Sequence, residues 1–482
     1  MTDWDEFVFD EFEFDVVDYA EEEYPLPKII QDWLKEASNY SLYNEFPITM
    51  VYFNLLGQIM KDFISIPVWG NNLDSRIHFC WFQTQRTGKT ALWKFYVKTL
   101  KALYQRINAL NHNVEGVIPS DLSEYTIFSV KEYSAASLVG TFRKNEAFDP
   151  NQEVDEDNSR VIQIKGDLWG SGIAHWDEFE SSGIFTNSKH KENVLMYFQT
   201  FMNGLDSESY IITKSLADSE DVLECDCQRS LYATTYVPKN FIEVVANSGA
   251  LQRAFMYVRD VPEDIVYKMR SEFIDGIGET AEVEMPIEQF ANNLTTIYDK
   301  VRKQWEREGK VKENVIKIPE VTKDVIRLYY DKMHLYIQNT RPEVREIAET
   351  FGQNFLIYQV VLSSLIAVSN NRFTVRADDV HCAGRLVQNA YSALVVWLEQ
   401  ALKDRRTSVV ERTKLSHFRQ AYDDCEKDED GWVHKSKYLN EVGKKAKLAQ
   451  RQVYNQFKNI SDKFDTKKFG RSVYIKLKED EE

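Results

Sequence analysis

The 482-residue chain is long enough for two or three domains, and an apolar share of 43% supplies the cores they need. No apolar stretch follows a basic start, and the greasiest run, 356–368, is broken by Tyr, Gln and Ser, which excludes a secretory leader and a membrane span; a cytoplasm-like setting (cytoplasm, nucleoid or virus-infected cell) is expected. The net charge of −17 argues against a uniform nucleic-acid-binding surface, and five scattered cysteines exclude a disulfide framework.

The charge is unevenly spread. Residues 1–24 hold eleven acids and no Lys or Arg, whereas residues 433–478 hold thirteen Lys and Arg against three acids. The head, "DWDEFVFDEFEFD", alternates acids with aromatics. It reads either as a disordered solubilising tail or as a peptide that docks on a basic protein partner or on this chain's own basic surface. From 25 to 75 the three- and four-residue apolar steps of "PKIIQDWLKEASNY" and "PITMVYFNLLGQIMKDF" predict a helical lead-in.

Over 76–262 short β-rich runs ("IHFCWFQ", "VIQIKGDLWG", "GIAHWDEF", "SLYATTYVP", "AFMYVRD") alternate with helical stretches, which predicts an α/β core with a mainly parallel sheet. Its first strand runs into Gln83-Thr84-Gln85-Arg86-Thr87-Gly88-Lys89-Thr90. In a phosphate loop GxxxxGK[ST], successive backbone N–H groups wrap the β-phosphate at a helix N-terminus, Lys reaches the β/γ oxygens and Ser/Thr ligates Mg2+. Here the Gly-Lys-Thr end is intact, and "ALWKFYVKTLKALY" supplies the helix, but Gln83 stands where a glycine is expected. The replacement costs on the order of 1 kcal/mol if the backbone there needs a positive φ.

An ATP site also needs an Asp for the Mg2+ shell and a neighbouring Glu to orient the attacking water. "SGIAHWDEFESS" offers Asp177 and Glu178 at the end of an apolar strand; the alternative is a pair of solvated acids. "QRSLYATTYVP" ends in hydroxyls, so Thr235 (or Thr234) reads as the γ-phosphate sensor, against an ordinary strand threonine. "SGALQRAFMYVRD" sets Arg253 on a small-residue turn before another strand. An Arg there reaches a neighbouring subunit's site in ring-shaped ATPases, and the alternative is a surface salt bridge. Cys225 and Cys227 lack a second pair at zinc spacing and read as reduced thiols.

From 263 to 404 the chain reads as a helical lid, and 405–482 as a small C-terminal domain. There a helix, "GWVHKSKYLNEVGKKA" as a second, "LAQRQVYNQFKNI" as a third, and the strand pair "KFDTKKFGRSVYIKL" follow winged-helix order. Lys447, Arg451, Lys458, Lys467, Lys468 and Arg471 suit phosphate contacts with DNA, and Gln450, Gln452 and Asn455 suit base edges; protein docking is the alternative use.

In order and spacing, "QTQRTGKT", "SAASLVGTF" (134–142), "VIQIKGDLWGSGIAHWDEFE", "SYIITKSLA" (209–217), "LYATTYVP" and "SGALQRAF" resemble the AAA+ motor of MCM-type replicative helicases. They are also similar to superfamily 3 helicases and to helicase-primase ATPases of viruses and plasmids. The resemblance covers roughly 77–260. It implies a P-loop AAA+ core with ATP and Mg2+ as cofactors, Lys89, Thr90, Asp177, Glu178 and Thr235 acting in cis, and Arg253 acting in trans in a homo-oligomer, expected to be a hexamer. It further implies that 134–142 forms a helix bearing a channel hairpin, and that 210–216 enters a second hairpin placing Lys214 near single-stranded or forked DNA, an ordinary solvated lysine being the alternative. Arg341 or Arg345 would be the lid's sensing arginine. The chain departs from the pattern at Gln83 and in carrying Thr where MCM proteins carry Asn. No N-terminal DNA-binding or primase domain is expected ahead of the motor in this sequence, so a primase, where needed, is expected from another chain. Two rivals remain: an AAA+ switch such as a loader, initiator or regulator that does not unwind, and an ATP-driven protein remodeller.

Overall fold

The computed structural model describes residues 25–68, 70–84, 87–111, 126–127, 134–147, 151, 161–179, 192–203, 211–215, 222–237, 241–242, 251–277, 286–411, 421–428, 430–446, 453–454, 457, 464–470 and 472–477. The acidic-aromatic head and the loop at 152–160 lie outside them. The chain divides into two compact units, 1–398 and 399–482, with the division inside the helix Ala377–Glu411.

The first unit is built on five parallel strands in the order Phe255–Arg259, Phe79–Gln83, Val222–Thr235, Gly170–Asp177, Thr126–Ile127. The loop strand Phe79–Gln83 is buried at every position, as expected of a central strand covered on both faces. Because all five strands run the same way, their C-terminal ends share one edge, the edge at which open parallel sheets bind ligands. Register pairs Phe82 with Thr235 and Asp177 with Thr234, so the hydroxyl strand Val222–Thr235 lies between the loop strand and the carboxylate strand Gly170–Asp177.

Two antiparallel strand pairs accompany this sheet. A one-turn helix, Ala135–Leu138, leads into Gly140–Lys144, which pairs with Val161–Lys165. Ile211–Ser215 pairs with the start of the hydroxyl strand, setting Lys214 opposite Leu223. A third pair, Ser65–Val68 with Asn71–Asp74, falls where the sequence pattern continues the helical lead-in.

The lead-in and the helices after residue 262 are not separate from this sheet. Helix Glu45–Met60 is buried from Phe46 to Met60, so it is a core element with no solvent face. Ahead of it, Trp33 packs on Tyr52, on Phe95 and Tyr96 of the loop helix Lys89–Asn111, and on Phe290 of the helix Ile287–Arg307. A helix buried all round must satisfy its polar side chains internally. Asn54 donates to the carbonyls of Ile77 (2.6 Å) and Leu231 (2.9 Å) and accepts from Tyr96 Oη (2.9 Å). Gln58 donates to Gln228 O (2.8 Å) and accepts from Ser230 Oγ (2.6 Å). Asn54→Leu therefore removes three buried hydrogen bonds, and a loss of about 3 kcal/mol is expected in urea unfolding of the first unit, at about 1 kcal/mol per bond. A loss under about 1 kcal/mol would show that the helix is held by apolar packing alone.

Among the described residues one helix, Pro342–Ser369, is long and apolar enough to cross a membrane, whereas the sequence pattern suggested a run too short to do so; 67% of its most apolar window is buried inside the protein. Its apolar faces are covered by neighbours such as Phe255 and Tyr391, which pack on Phe355.

In the second unit, Val433–His434 forms a strand and the helix begins only at Lys435, so the segment expected to be all helix opens as sheet. That strand pairs with Ser472–Leu477, which pairs with Phe464–Phe469, all antiparallel. Tyr438, Leu439, Val442, Val453, Phe457 and Ile475 form its core.

Candidate nucleotide and metal site

The edge formed by the C-terminal strand ends gathers the loop and the carboxylate. Gly88 has φ +87°, a left-handed turn that a side chain would strain, and a Cβ there would come within 2.7 Å of Ser41 Oγ. Lys89 and Thr90 open the 23-residue helix Lys89–Asn111, whose N-terminus carries the unpaired N–H groups and positive dipole end that favour an anion. The Lys89 ammonium donates to the loop carbonyls of Gln83 (2.9 Å) and Thr84 (2.8 Å), which holds it over the loop. Thr84 Oγ1 accepts from Val261 N (3.0 Å) and ties the loop to the chain after the neighbouring strand. Gln85 and Arg86 lie outside the described residues.

Asp177 reaches this loop. Thr90 Oγ1 donates to Asp177 Oδ2 at 3.3 Å, and Thr234 Oγ1 donates to Asp177 Oδ1 at 2.7 Å. Alternation along a strand puts neighbours on opposite faces, so the hydroxyl brought to the carboxylate is that of Thr234, and Thr235 points the other way. Thr235 is buried and its Oγ1 finds no hydrogen-bond partner among the described residues.

Glu178 is exposed, sits at φ 51° and donates its backbone N–H to Asp177 Oδ1 (3.2 Å). A left-handed non-glycine residue at a strand end is a strained position of the kind found at functional sites. Beneath Asp177, His175 lies buried between Trp93 and Tyr232, with ring centroids at 3.5 Å and 5.0 Å. Burial lowers the pKa of its imidazole to about 3, so it is a neutral packing group under the site.

Thr90 and Asp177 are hard oxygen donors facing each other, the chemistry that suits Mg2+, which takes one or two protein oxygens and fills the rest of its octahedron with phosphate and water. No cluster of three or more His, Cys, Asp or Glu able to hold a metal occurs among the described residues. Cys225 and Cys227 are buried free thiols, both pushed up by burial, Cys227 to about 11.

Arg253 is not part of this cluster. It closes the 3-10 turn Leu251–Arg253 at the start of Phe255–Arg259, where Phe255 pairs with Phe79 and Arg259 with Gln83. Four strand steps, about 13 Å, separate that end from the loop. Tyr358 Oη fixes the turn by donating to Arg253 O at 2.6 Å.

Farther along the first unit, Arg345 caps the preceding helix Glu320–Gln338, its guanidinium donating to the carbonyls of Ile337, Gln338 and Thr340. That is a structural task; Arg341 stands at the N-cap of Pro342–Ser369. In the second unit Lys467 and Lys468 are exposed on Phe464–Phe469, beside an exposed Phe469. Lys447, Arg451, Lys458 and Arg471, like Gln450, Gln452 and Asn455, lie outside the described residues.

The sequence pattern did not reveal the turn at 41–44. Asn44 and Ser41 lie against the loop, and Asn44 Nδ2 donates to Thr87 O at 2.8 Å. Their only signal in the sequence is polarity inside an otherwise apolar helical stretch. No protein-family model matches the chain, and no curated protein matches it.

Proposed function

We propose that this chain is an ATP-dependent, ring-forming DNA helicase with an AAA+ core of the MCM-like or superfamily 3 kind, a helical lid and a C-terminal winged helix. The observation that carries the ATPase part is the meeting of Thr90 with Asp177 at the sheet edge, 87 residues apart in the chain, beside a glycine-lysine loop on a helix N-terminus. In this reading the loop N–H groups and Lys89 hold the phosphates, and Thr90 and Asp177 hold Mg2+, which neutralises phosphate charge when bound. Glu178 orients a water whose oxygen attacks the γ-phosphorus as the bond to the bridging oxygen of ADP breaks, and takes up its proton. Thr234 fixes the carboxylate, and Arg253 serves a neighbouring subunit.

Three features support a DNA-directed use of that energy. Two antiparallel strand pairs accompany the core, one carrying Lys214 on its strand. The second unit has helix–strand–helix–hairpin order and exposed lysines on the hairpin. The basic 433–478 segment gives cations for a salt-dependent grip on phosphates.

The test is a forked duplex. ATPase activity stimulated by DNA, together with strand separation that needs Lys89, is expected. DNA binding without unwinding would make the chain an AAA+ switch that loads or regulates, and stimulation by unfolded polypeptide with indifference to DNA would make it a protein remodeller.

A further inference from the structure

Gln83 replaces the glycine with which such loops open, and the expected strain does not arise. Its φ is not positive: it is the last residue of the loop strand, paired with Arg259 and wholly buried. Its side-chain amide is fully used. Oε1 accepts from Trp81 Nε1 (2.8 Å), while Nε2 donates to Asn44 Oδ1 (2.8 Å) and Thr87 Oγ1 (2.9 Å). Thr87 Oγ1 donates onward to Thr84 O (2.8 Å).

Asn44 closes the circuit from the other side. Its two Nδ2 hydrogens are shared among Thr87 O (2.8 Å), Ser41 Oγ (2.9 Å) and Leu42 O (3.0 Å). Ser41, Asn44, Gln83 and Thr87 are all at most 2% exposed. Both ends of the loop, Gln83 and Thr84 on one side and Thr87 on the other, are thus joined to one buried turn, and Gly88 is pressed against Ser41. A buried network whose members are all satisfied rigidifies what it touches.

We propose that Gln83 and Asn44 are positioning residues for nucleotide binding, a side-chain brace that sets the phosphate loop before ATP arrives. The inference rests on the ATP reading above. It has an unusual consequence: Gln83→Gly, which restores the usual motif, weakens binding instead of improving it. Without the amide, Asn44 Oδ1 and Trp81 Nε1 lose their buried partner, and the loop keeps the Asn44 Nδ2–Thr87 O bond but loses the bond from Gln83 to Thr87 Oγ1. Nucleotide must then order the loop itself, so the loss falls on affinity and much less on turnover once the site is filled.

The experiment is calorimetric titration of the full chain with ATP and Mg2+, beside steady-state kinetics. For Gln83→Gly, a Kd and KM raised about tenfold with kcat within about threefold is expected. Asn44→Ser should do the same, and the double variant should lose less than the sum of the two, because the residues share the Gln83 Nε2–Asn44 Oδ1 bond. Asn54→Leu, which weakens the same helix away from the loop, should lower stability and leave the Kd of the folded protein unchanged. Gln83→Gly binding ATP as tightly as the parent, or additive losses in the double variant, overturns the brace; should Gln83→Gly fail to fold, Asn44→Ser decides by the same readouts. A parent chain that binds no ATP removes the underlying site as well, which separates the two failures.

Discussion

Glu178→Gln is expected to keep ATP binding and lose turnover by about a hundredfold or more, the range for removing a general base, whereas Lys89→Ala is expected to lose binding itself. The difference follows from where the two side chains stand. Lys89 lies at the N-terminus of its helix with its ammonium over the carbonyls of Gln83 and Thr84, where a β/γ-phosphate would replace carbonyl oxygens as the acceptor. Its loss removes a ground-state contact. Glu178 is exposed, and its backbone, at φ 51°, turns back so that its own N–H meets Asp177 Oδ1. Glutamine preserves that turn and the side chain's shape and removes only the ability to take a proton. Titration of ATP against each variant, together with phosphate release under saturating ATP, checks the pair. Equal hydrolysis in the parent and both variants would refute the site, and joint loss of binding in both would assign Glu178 to the phosphates instead of the water.

The parts of this site that sequence made visible are those written in consecutive residues. The loop strand, the Gly88-Lys89-Thr90 turn and its helix are one uninterrupted pattern, and Asp177 follows a run of buried residues that pins the strand's end. The hairpin ahead of the hydroxyl strand was expected only through the resemblance, which has 210–216 entering it, and Ile211–Ser215 does pair antiparallel with the start of Val222–Thr235. Which of Thr234 and Thr235 faces Asp177 was not legible, because a one-residue change of face depends on how the neighbouring strand is set, and that is fixed by pairing across 57 residues. The lead-in was read correctly as helix for Lys28–Ser38 and Glu45–Met60 but not as core. Periodicity cannot distinguish a helix with one apolar face from one enclosed on all sides when its few polar residues, Asn54 and Gln58, find partners inside. Gln83 looked like a defect because its compensating partner, Asn44, lies 39 residues upstream. Two-residue strands such as Thr126–Ile127 and Val433–His434 are too short to carry a pattern at all.

Arg253→Ala is expected to retain ATP binding and lose hydrolysis by about a thousandfold, the lower range for removing an arginine that neutralises the transferring phosphoryl group. A role within its own subunit is disfavoured by register: the strand it precedes begins opposite Phe79, about four residues or 13 Å before the loop strand ends at Gln83. Tyr358 holds this turn through the Arg253 carbonyl, a contact that truncating the side chain leaves in place. The loss should therefore appear in chemistry and depend on assembly. Mixed with Lys89→Ala chains, which bind no ATP but carry Arg253, the variant should regain hydrolysis, because its intact site then meets a neighbour's arginine. No recovery in the mixture would return Arg253 to its own subunit or to a structural ion pair. Loss of ATP binding in the isolated variant would remove it from the chemistry altogether.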